Sequence, residues 1–495
     1  MVVVADRKQM EQFADDLLFF TDPEHARILT FPDYNLLPFK RLSFHSETAA
    51  ERIRTLFLLT SSGPPPLVVS TVAAMMHRMV PKRELVDDAE LLAVNEDIDL
   101  DGLLEKLTAC GYIRTGIVEE PGDFCLRGGI LDVFSPMYAD PLRIELFGDM
   151  VESIRLFSAL SQRKIKDLDE AIILPAKEII VKKADLPVVI SRIREQAALL
   201  ELPVTRVREI VDRISREGNY SELESLIPLV YETPETLVDY LPANTLWALP
   251  DPNDLLASAD RFERLTAKNH AAAVEEKRLC VAPEKLYEPW PRIEENLMTR
   301  TALVFEKIDR IPGLDQGEDH GRTFRPAISD NTTVSLELKQ NRGKDHALLP
   351  LVDWIQSRKA EGCRIFLVCQ GPVQAHRTRS LLLNYGLDLP VFQDFQSARF
   401  EAGGPCICLG RLSAGFSWPE EHLAFIKDDE IFGRKMHRVQ QEKTRVRTDL
   451  IQMEDLKTND LVVHADHGIG RFEGLTKLNL NGTLNDFLMI LYRDE

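Results

Sequence analysis

Five short β-like runs, at 116–120, 124–127, 130–134, 142–147 and 151–157, follow one another with only tight turns between them. Gly128-Gly129 and Gly148-Asp149 are the punctuation of two-residue hairpins. Strands joined so closely pair antiparallel, because a parallel pair needs a long crossover. A helix at 103–110, ending at Gly111, precedes them, so residues 90–176 read as a compact, mostly antiparallel α+β module.

The flanking sequence follows a different rule. Val2 to Ala5 is an apolar strand. Residues 7–20 form an amphipathic helix with Met10, Phe13, Leu17 and Phe20 on one side. A second β-like run at 67–71 follows the Gly63-Pro-Pro-Pro66 turn and leads into 72–79. Strands alternating with helices predict a parallel α/β layer over 1–89, and one that starts directly on a core strand is expected to lack a preceding element. Residues 177–325 are helix-rich (188–200, 203–217, 220–229, 254–279), with a polar linker at 313–326. A second α/β domain is expected over 331–440, with strands at 364–369, 406–409 and 423–427 and helices at 348–361 and 372–385. After a charged connector at 441–455, residues 456–495 read as short strands broken by Gly468-Ile-Gly470 and Asn481-Gly482, with a last strand at 487–492. The fold class is α/β multidomain.

At 495 residues the chain is too long for one core. No apolar run is long enough to cross a bilayer, and the N-terminus lacks the pattern of a secretory signal. Seven cysteines spread over such a length fit reduced thiols, so a cytoplasmic protein is expected. The net charge of −19, from 60 basic and 79 acidic side chains, argues against a surface built to grip phosphate backbones. Protein partners are the expectation, met by a single copy of the chain.

Motifs for catalysis are thin. A phosphate loop needs G-x-x-x-x-G-K-[ST], yet the Gly343-Lys344 pair is followed by Asp345 and has Leu338 at the first glycine position. Leu423-Ala-Phe-Ile426 running into Asp428-Asp429-Glu430 resembles a magnesium-binding strand end; without a phosphate loop, acids capping a strand are the better reading. Cys406 and Cys408 share a strand face but lack a second pair at zinc-site spacing, and so read as buried thiols. His464 and His467 flank a turn and are expected to stabilise it. No catalytic residue, metal site or cofactor is assigned.

Alternation along 142–149 puts Arg143, Glu145 and Phe147 on one face, with Ile144 and Leu146 on the other. If Ile144 and Leu146 are the core pair, Phe147 stands exposed beside an arginine, the composition of an interface hot spot. A sheet buried on both faces, with Phe147 in a second core, fits the pattern equally well.

These stretches carry a resemblance. Pro121-Gly-Asp-Phe124, Arg127-Gly-Gly-Ile-Leu-Asp-Val-Phe134, Arg143-Ile-Glu-Leu-Phe-Gly-Asp149, Glu152-Ser-Ile-Arg155 and Ser161-Gln-Arg163 are similar to the module shared by the bacterial transcription-repair coupling factors (the Mfd family) and the excinuclease subunit UvrB. Phe31-Pro-Asp-Tyr-Asn-Leu-Leu-Pro-Phe39 resembles a segment of the first, UvrB-like domain of those factors. The stretch from Leu456 to Phe472 resembles their polymerase-interaction domain, also found in CarD-type regulators. Both signatures in one chain, in this order, point to the coupling factors. A UvrB-type ATPase acting on damaged DNA is the alternative; a stand-alone CarD-type regulator would leave the first 450 residues unexplained.

The resemblance implies a UvrB-like α/β domain carrying an inserted UvrA-binding module, then a second α/β domain and part of a small CarD/Tudor-like β-barrel. It implies contacts to UvrA through Arg127, Arg143 and Phe147, and contacts to the RNA polymerase β subunit through Leu478, Gly468, Gly470 and Arg471. It tips the choice at Phe147 towards an interface. In the family, ATP, magnesium and DNA are engaged by helicase-like motor domains beyond the residues present here.

Overall fold

The computed structural model describes residues 1–22, 26–34, 38–39, 46–61, 63–217, 223–305, 323–344 and 346–433, together with three strands between 461 and 491. The chain forms two compact units, Met1–Gly433 and Arg434–Glu495. The expected connector at 441–455 and most of the expected linker at 313–326 lie outside the described residues.

The first unit begins with strand β1 (Val2–Val4), helix α1 (Arg7–Phe20), strand β2 (Ile28–Phe31), helix α2 (Ser46–Thr60) and strand β3 (Leu67–Thr71). β3 lies between β1 and β2, with Val2 opposite Val69 and Ile28 opposite Leu67, all parallel. Asp6 starts α1 by accepting a hydrogen bond from the Gln9 amide at 2.9 Å. Far along the chain, strands β12 (Trp247–Pro250) and β13 (Ala302–Phe305) return to the same sheet as its fourth and fifth parallel strands. The sequence reading made that region helical only. Four-residue strands set between long helices carry too little alternation to register, and Trp247 is identified only by its burial against the rest of the layer.

Between these halves lies the module, antiparallel except for one short parallel pair, Ile113–Arg114 beside Asp123–Phe124. Strand β4 (Glu90–Ala93) pairs with β11 (Glu170–Ile173) at its base. The main sheet has six strands: β5 (Ile113–Arg114), β6 (Asp123–Arg127), β7 (Ile130–Val133), β8 (Leu142–Phe147), β9 (Met150–Phe157) and β10 (Lys164–Leu168), in the order β10-β9-β8-β7-β6-β5. Leu131, Ile144 and Ile154 point from its inner face onto Leu103 and Leu107 of the helix Leu100–Ala109. The expected strand at 116–120 does not form. The Asp123 carboxylate instead accepts the Glu119 and Glu120 amides at 3.1 and 3.0 Å, bending that segment into a turn.

The module's exit is fastened by a buried ion pair. Arg52 on α2 is completely inaccessible, and its Nε lies 2.5 Å from Oε1 of Glu178, just beyond β11. Its Nη1 donates to the Pro32 carbonyl at 2.8 Å, and the Phe31 and Tyr34 rings sandwich the guanidinium at 4.2 and 4.3 Å. Tyr34 adds a hydrogen bond from its hydroxyl to Glu178. Burial pushes the Glu178 carboxyl up, but the Arg52 charge and hydrogen bonds outweigh it and hold the pKa below the usual value. His77, beside Tyr34, is lowered to about 4 by burial and then by Arg52.

The second α/β layer has β14 (Ser329–Asp330), β15 (Arg364–Cys369), β16 (Val391–Phe392), β17 (Cys406–Leu409), β18 (Phe416–Trp418) and β19 (Leu423–Lys427). Their order is β14-β18-β19-β15-β17-β16, with β19, β15, β17 and β16 parallel. Helices Thr332–Gln340, Leu349–Ala360 and Pro372–Leu383 cover one face. The last turn of α1 helps cover the other. Phe19 stacks on Phe395 at 5.1 Å and meets Phe425 at 6.2 Å. Gln396 Nε2 donates to the Phe20 carbonyl at 2.9 Å, and the Asp16 carboxylate accepts the Ser413 amide and hydroxyl at 2.6 and 2.5 Å. Gly410 is required here, because a Cβ would fall 2.5 Å from the Phe19 ring. The two α/β layers therefore share a helix and are not beads on a string.

The second unit is an antiparallel sheet of β20 (Leu461–His464), β21 (Gly468–Leu480) and β22 (Thr483–Leu491). Gly468-Ile-Gly470 opens the long strand and does not interrupt it; His467, Asn481 and Gly482 lie outside the described residues. Among the described residues no helix is long and apolar enough to cross a membrane.

Three stability effects follow from this buried cluster. Arg52→Ala strands a buried carboxylate and is expected to cost about 3–5 kcal/mol in denaturant unfolding. Stability should fall as pH drops from 6.5 towards about 4, because the unfolded chain protonates His77 while the fold keeps it neutral. A further loss should follow below the ordinary carboxylate value of 4.5, as Glu178 protonates through its depressed pKa. A Tm-versus-pH series of the wild type against His77→Phe checks this, the variant lacking the 6.5-to-4 limb.

Candidate protein-docking surface

Hairpin register decides what faces outward on the module. Arg143 sits opposite Asp132 on β7 and Arg155 on β9, while Glu145 sits opposite Ile130 and Ser153. Paired residues share a face, so all of these project away from the Leu131–Ile144–Ile154 core. Asp132 is only 2% exposed and is the hub of that face. Its Oδ1 and Oδ2 accept Arg143 Nε and Nη2 at 2.7 and 2.8 Å, and Oδ2 also accepts Arg127 Nη2 at 3.3 Å. One carboxylate thus orders two guanidinium groups and leaves a net positive charge.

Arg143 lies over the buried Phe157 ring at 4.3 Å and donates through Nη2 to Gln162 Oε1 at 3.2 Å. Its pKa is raised above the usual arginine value by hydrogen bonding to Asp132. Glu145 pairs with Arg155 and accepts Ser153 Oγ at 2.8 Å. Alternation alone makes Arg143 look free. Across the register it is held by Asp132 and only 19% exposed, and Arg127, half exposed, is the more open of the two.

Phe147 ends β8 and is 74% exposed. The turn after it needs Gly148, whose φ of +64° no β-branched or bulky residue adopts cheaply. Gly129, at the facing hairpin tip, accepts the Leu146 amide at 2.7 Å, and a Cβ there would lie 2.7 Å from the Leu146 carbonyl oxygen. The two hairpin tips therefore close against each other, and the Phe147 ring is left in solvent. Of the two arrangements open to the sequence, the outer face adopts a mixture. Val118, Cys125 and Phe134 form a small second cluster, but Phe147 takes no part in it.

In the second unit, Leu478 pairs with Asn485 on the β21–β22 hairpin. Gly468, Gly470 and Arg471 pair with His464, Val462 and Leu461 at the other end of β21. Arg471 and Leu478 are seven residues apart, about 23 Å along an extended strand, so the four positions do not form one cluster.

The remaining polar candidates have structural partners. Glu430 accepts the amides of Gly415 and Lys427, each at 3.0 Å, and Lys427 Nζ reaches Asp429 at 3.4 Å. Burial raises the Asp428 carboxyl. Cys406 and Cys408 are buried, and burial raises both thiols, that of Cys406 to about 12. No group of three or more His, Cys, Asp or Glu that could hold a metal occurs among the described residues.

Residues 91–179 match the UvrB interaction domain family, a range running from β4 to just past Glu178. Residues 456–495 match the CarD-like/TRCF RID domain family. Along 99% of its length the chain is 30% identical to a transcription-repair-coupling factor of Myxococcus xanthus, and along 98% it is 27% identical to that of Bacillus subtilis. The Escherichia coli factor is 26% identical over the whole chain. The chain is thus similar along its whole length to transcription-repair-coupling factors and carries both of these domain families. It spans about two fifths of the length of these relatives (41%, 40% and 41%).

Sequence reasoning named Arg127, Arg143 and Phe147 but missed Asp132. The signal was present in Arg127-Gly-Gly-Ile-Leu-Asp132, yet an acid on a β-strand is assigned to a partner only when the hairpin register is known. Asp132→Ala is expected to cost the module about 2–4 kcal/mol by releasing two ordered arginines over a buried site, whereas Phe147→Ala should stay within about 0.5 kcal/mol. Urea unfolding of the two variants measures the contrast.

Proposed function

We propose that this segment is the docking portion of a transcription-repair coupling factor. The module at 90–176 binds the damage-recognition subunit UvrA, and the region 456–495 binds the RNA polymerase β subunit. Polymerase stalled at DNA damage is thereby released and nucleotide excision repair recruited. The observation that carries the reading is the outer module face, where Asp132 orders two arginines and Phe147 stands in solvent at the end of the strand that carries Arg143. An ordered guanidinium pair suits a partner carboxylate, and an exposed ring beside it suits an apolar pocket. Arg127, Arg143 and Phe147 are the UvrA contacts in this proposal. Leu478 is the principal polymerase contact, with Gly468, Gly470 and Arg471 shaping the start of β21.

The finer architecture belongs to the same proposal. Residues 1–89 and 177–325 are two parts of one UvrB-like domain interrupted by the module, which the shared five-stranded sheet supports. The last strands form part of a small CarD-like barrel. ATP, magnesium and DNA are handled by motor domains elsewhere in the whole factor, which acts in the cytoplasm as a monomer.

Replacing Arg143 and Phe147 together with Ala should lower UvrA affinity at least a hundredfold in a calorimetric titration while the chain stays folded. Unchanged affinity would exclude this face. Leu478→Arg should weaken capture of the isolated polymerase β subunit by tenfold or more, and retained capture would place the contact elsewhere. Steady ATP turnover by the chain alone would favour the UvrB-type enzyme over a docking platform.

A further inference from the structure

The turn that joins β9 to β10 is held far more tightly than a connection needs. The Ser158 amide donates to the Arg163 carbonyl at 2.9 Å, the Gln162 amide to the Ser158 carbonyl at 2.7 Å, and the Ser161 amide to Ser158 Oγ at 3.2 Å. Gln162 adopts a left-handed backbone, with φ of +57°, a conformation that penalises any residue carrying a Cβ. Its side-chain amide is fixed at both ends: Nε2 donates to the Ala159 carbonyl at 2.8 Å, and Oε1 accepts from Arg143 Nη2 at 3.2 Å. The strained residue is the one that reaches the docking arginine.

At the apex of the same turn stands Leu160, 88% exposed, the most exposed large apolar side chain among those described. No local packing explains a leucine there. Arg143 lies near the β9–β10 end of the face, while Phe147 lies four residues along β8, about 13 Å away at the opposite end. The arginine pair thus has one bare apolar side chain on either side of it, Phe147 and Leu160. A charged centre flanked by apolar anchors is the layout of a contact that excludes water from its central ion pair.

We propose that the 158–163 turn is part of the UvrA docking surface, with Gln162 a positioning residue that aims the Arg143 guanidinium and Leu160 a second apolar anchor. The proposal rests on the docking reading of this module. It adds a requirement on the partner: an acidic group with apolar depressions on both sides, so that affinity is divided between two anchors.

The test titrates UvrA into the full chain carrying Gln162→Gly, Leu160→Ser, or Gln162→Gly combined with Arg143→Lys, with Arg143→Lys and Phe147→Ala alone as references. Glycine accepts the left-handed backbone, so Gln162→Gly should keep or raise Tm yet weaken binding about tenfold. A merely structural glutamine would leave binding unmoved. In the Arg143→Lys background the same change should have under a twofold effect, since the group it aims is gone. Leu160→Ser should weaken binding about fivefold at unchanged Tm. If Arg143→Lys and Phe147→Ala weaken binding while Leu160→Ser and Gln162→Gly bind like wild type, the turn has no part in docking and only this inference fails. An equal Gln162→Gly effect in both backgrounds overturns the positioning role. Wild-type affinity in both reference variants overturns the docking reading itself.

Discussion

Where the chain leaves the inserted module and returns to the first α/β layer, it is held by a buried ion pair, Arg52–Glu178. Arg52 is wholly inaccessible and Glu178 nearly so, and two ions that desolvated are a burden unless every hydrogen-bonding position is used. Here the carboxylate receives Arg52 and the Tyr34 hydroxyl, and the guanidinium also reaches the Pro32 carbonyl between two aromatic faces. Pro32 and Tyr34 follow β2, Arg52 lies on α2, and Glu178 is where the chain re-enters after the module. Three segments separated by up to 146 positions in sequence (Pro32 to Glu178) are fixed to one point. An inserted module can hold its orientation on a layer only if its exit is fastened to that layer, and this is the fastening.

The outer face of the module repeats the logic at lower cost. Asp132 is buried but its two arginines are not fully so, and their outer edges stay open to solvent. A carboxylate shared by two guanidiniums lowers the entropy that a partner must freeze out on binding, because the long side chains are already in place. The Gln162 turn extends the same ordering to the far edge of Arg143.

Long, strongly patterned elements were readable in the sequence. Helix α1 spans the same residues as its pattern, and β8 was placed with its faces correctly sorted, since Ile144 is buried and Phe147 exposed. The hidden parts share a cause. Trp247–Pro250 and Ala302–Phe305 are short, and what makes them strands is a sheet whose other three members lie within the first 71 residues. The turn at 116–120 has strand-like composition, but a local carboxylate captures its amides. At the site, alternation put Arg143 and Phe147 on one face and the resemblance added Arg127, but neither could show that Asp132 holds both arginines, because that contact exists only once three strands are in register. The resemblance to a known family supplied the partners; the residues alone left Phe147 undecided.

Sharing α1 between two layers has a consequence for dissecting this protein. A cut placed in the polar stretch after Phe305 looks natural on the sequence, yet it would strip Phe19 and Phe20 from the aromatic stack that seats them. The amino-terminal piece would then carry a bare greasy ridge, and the other piece an open trough lined by Phe395 and Phe425. Such halves would tend to clump or to find each other again in solution. The smallest well-behaved fragment of this region runs through Gly433.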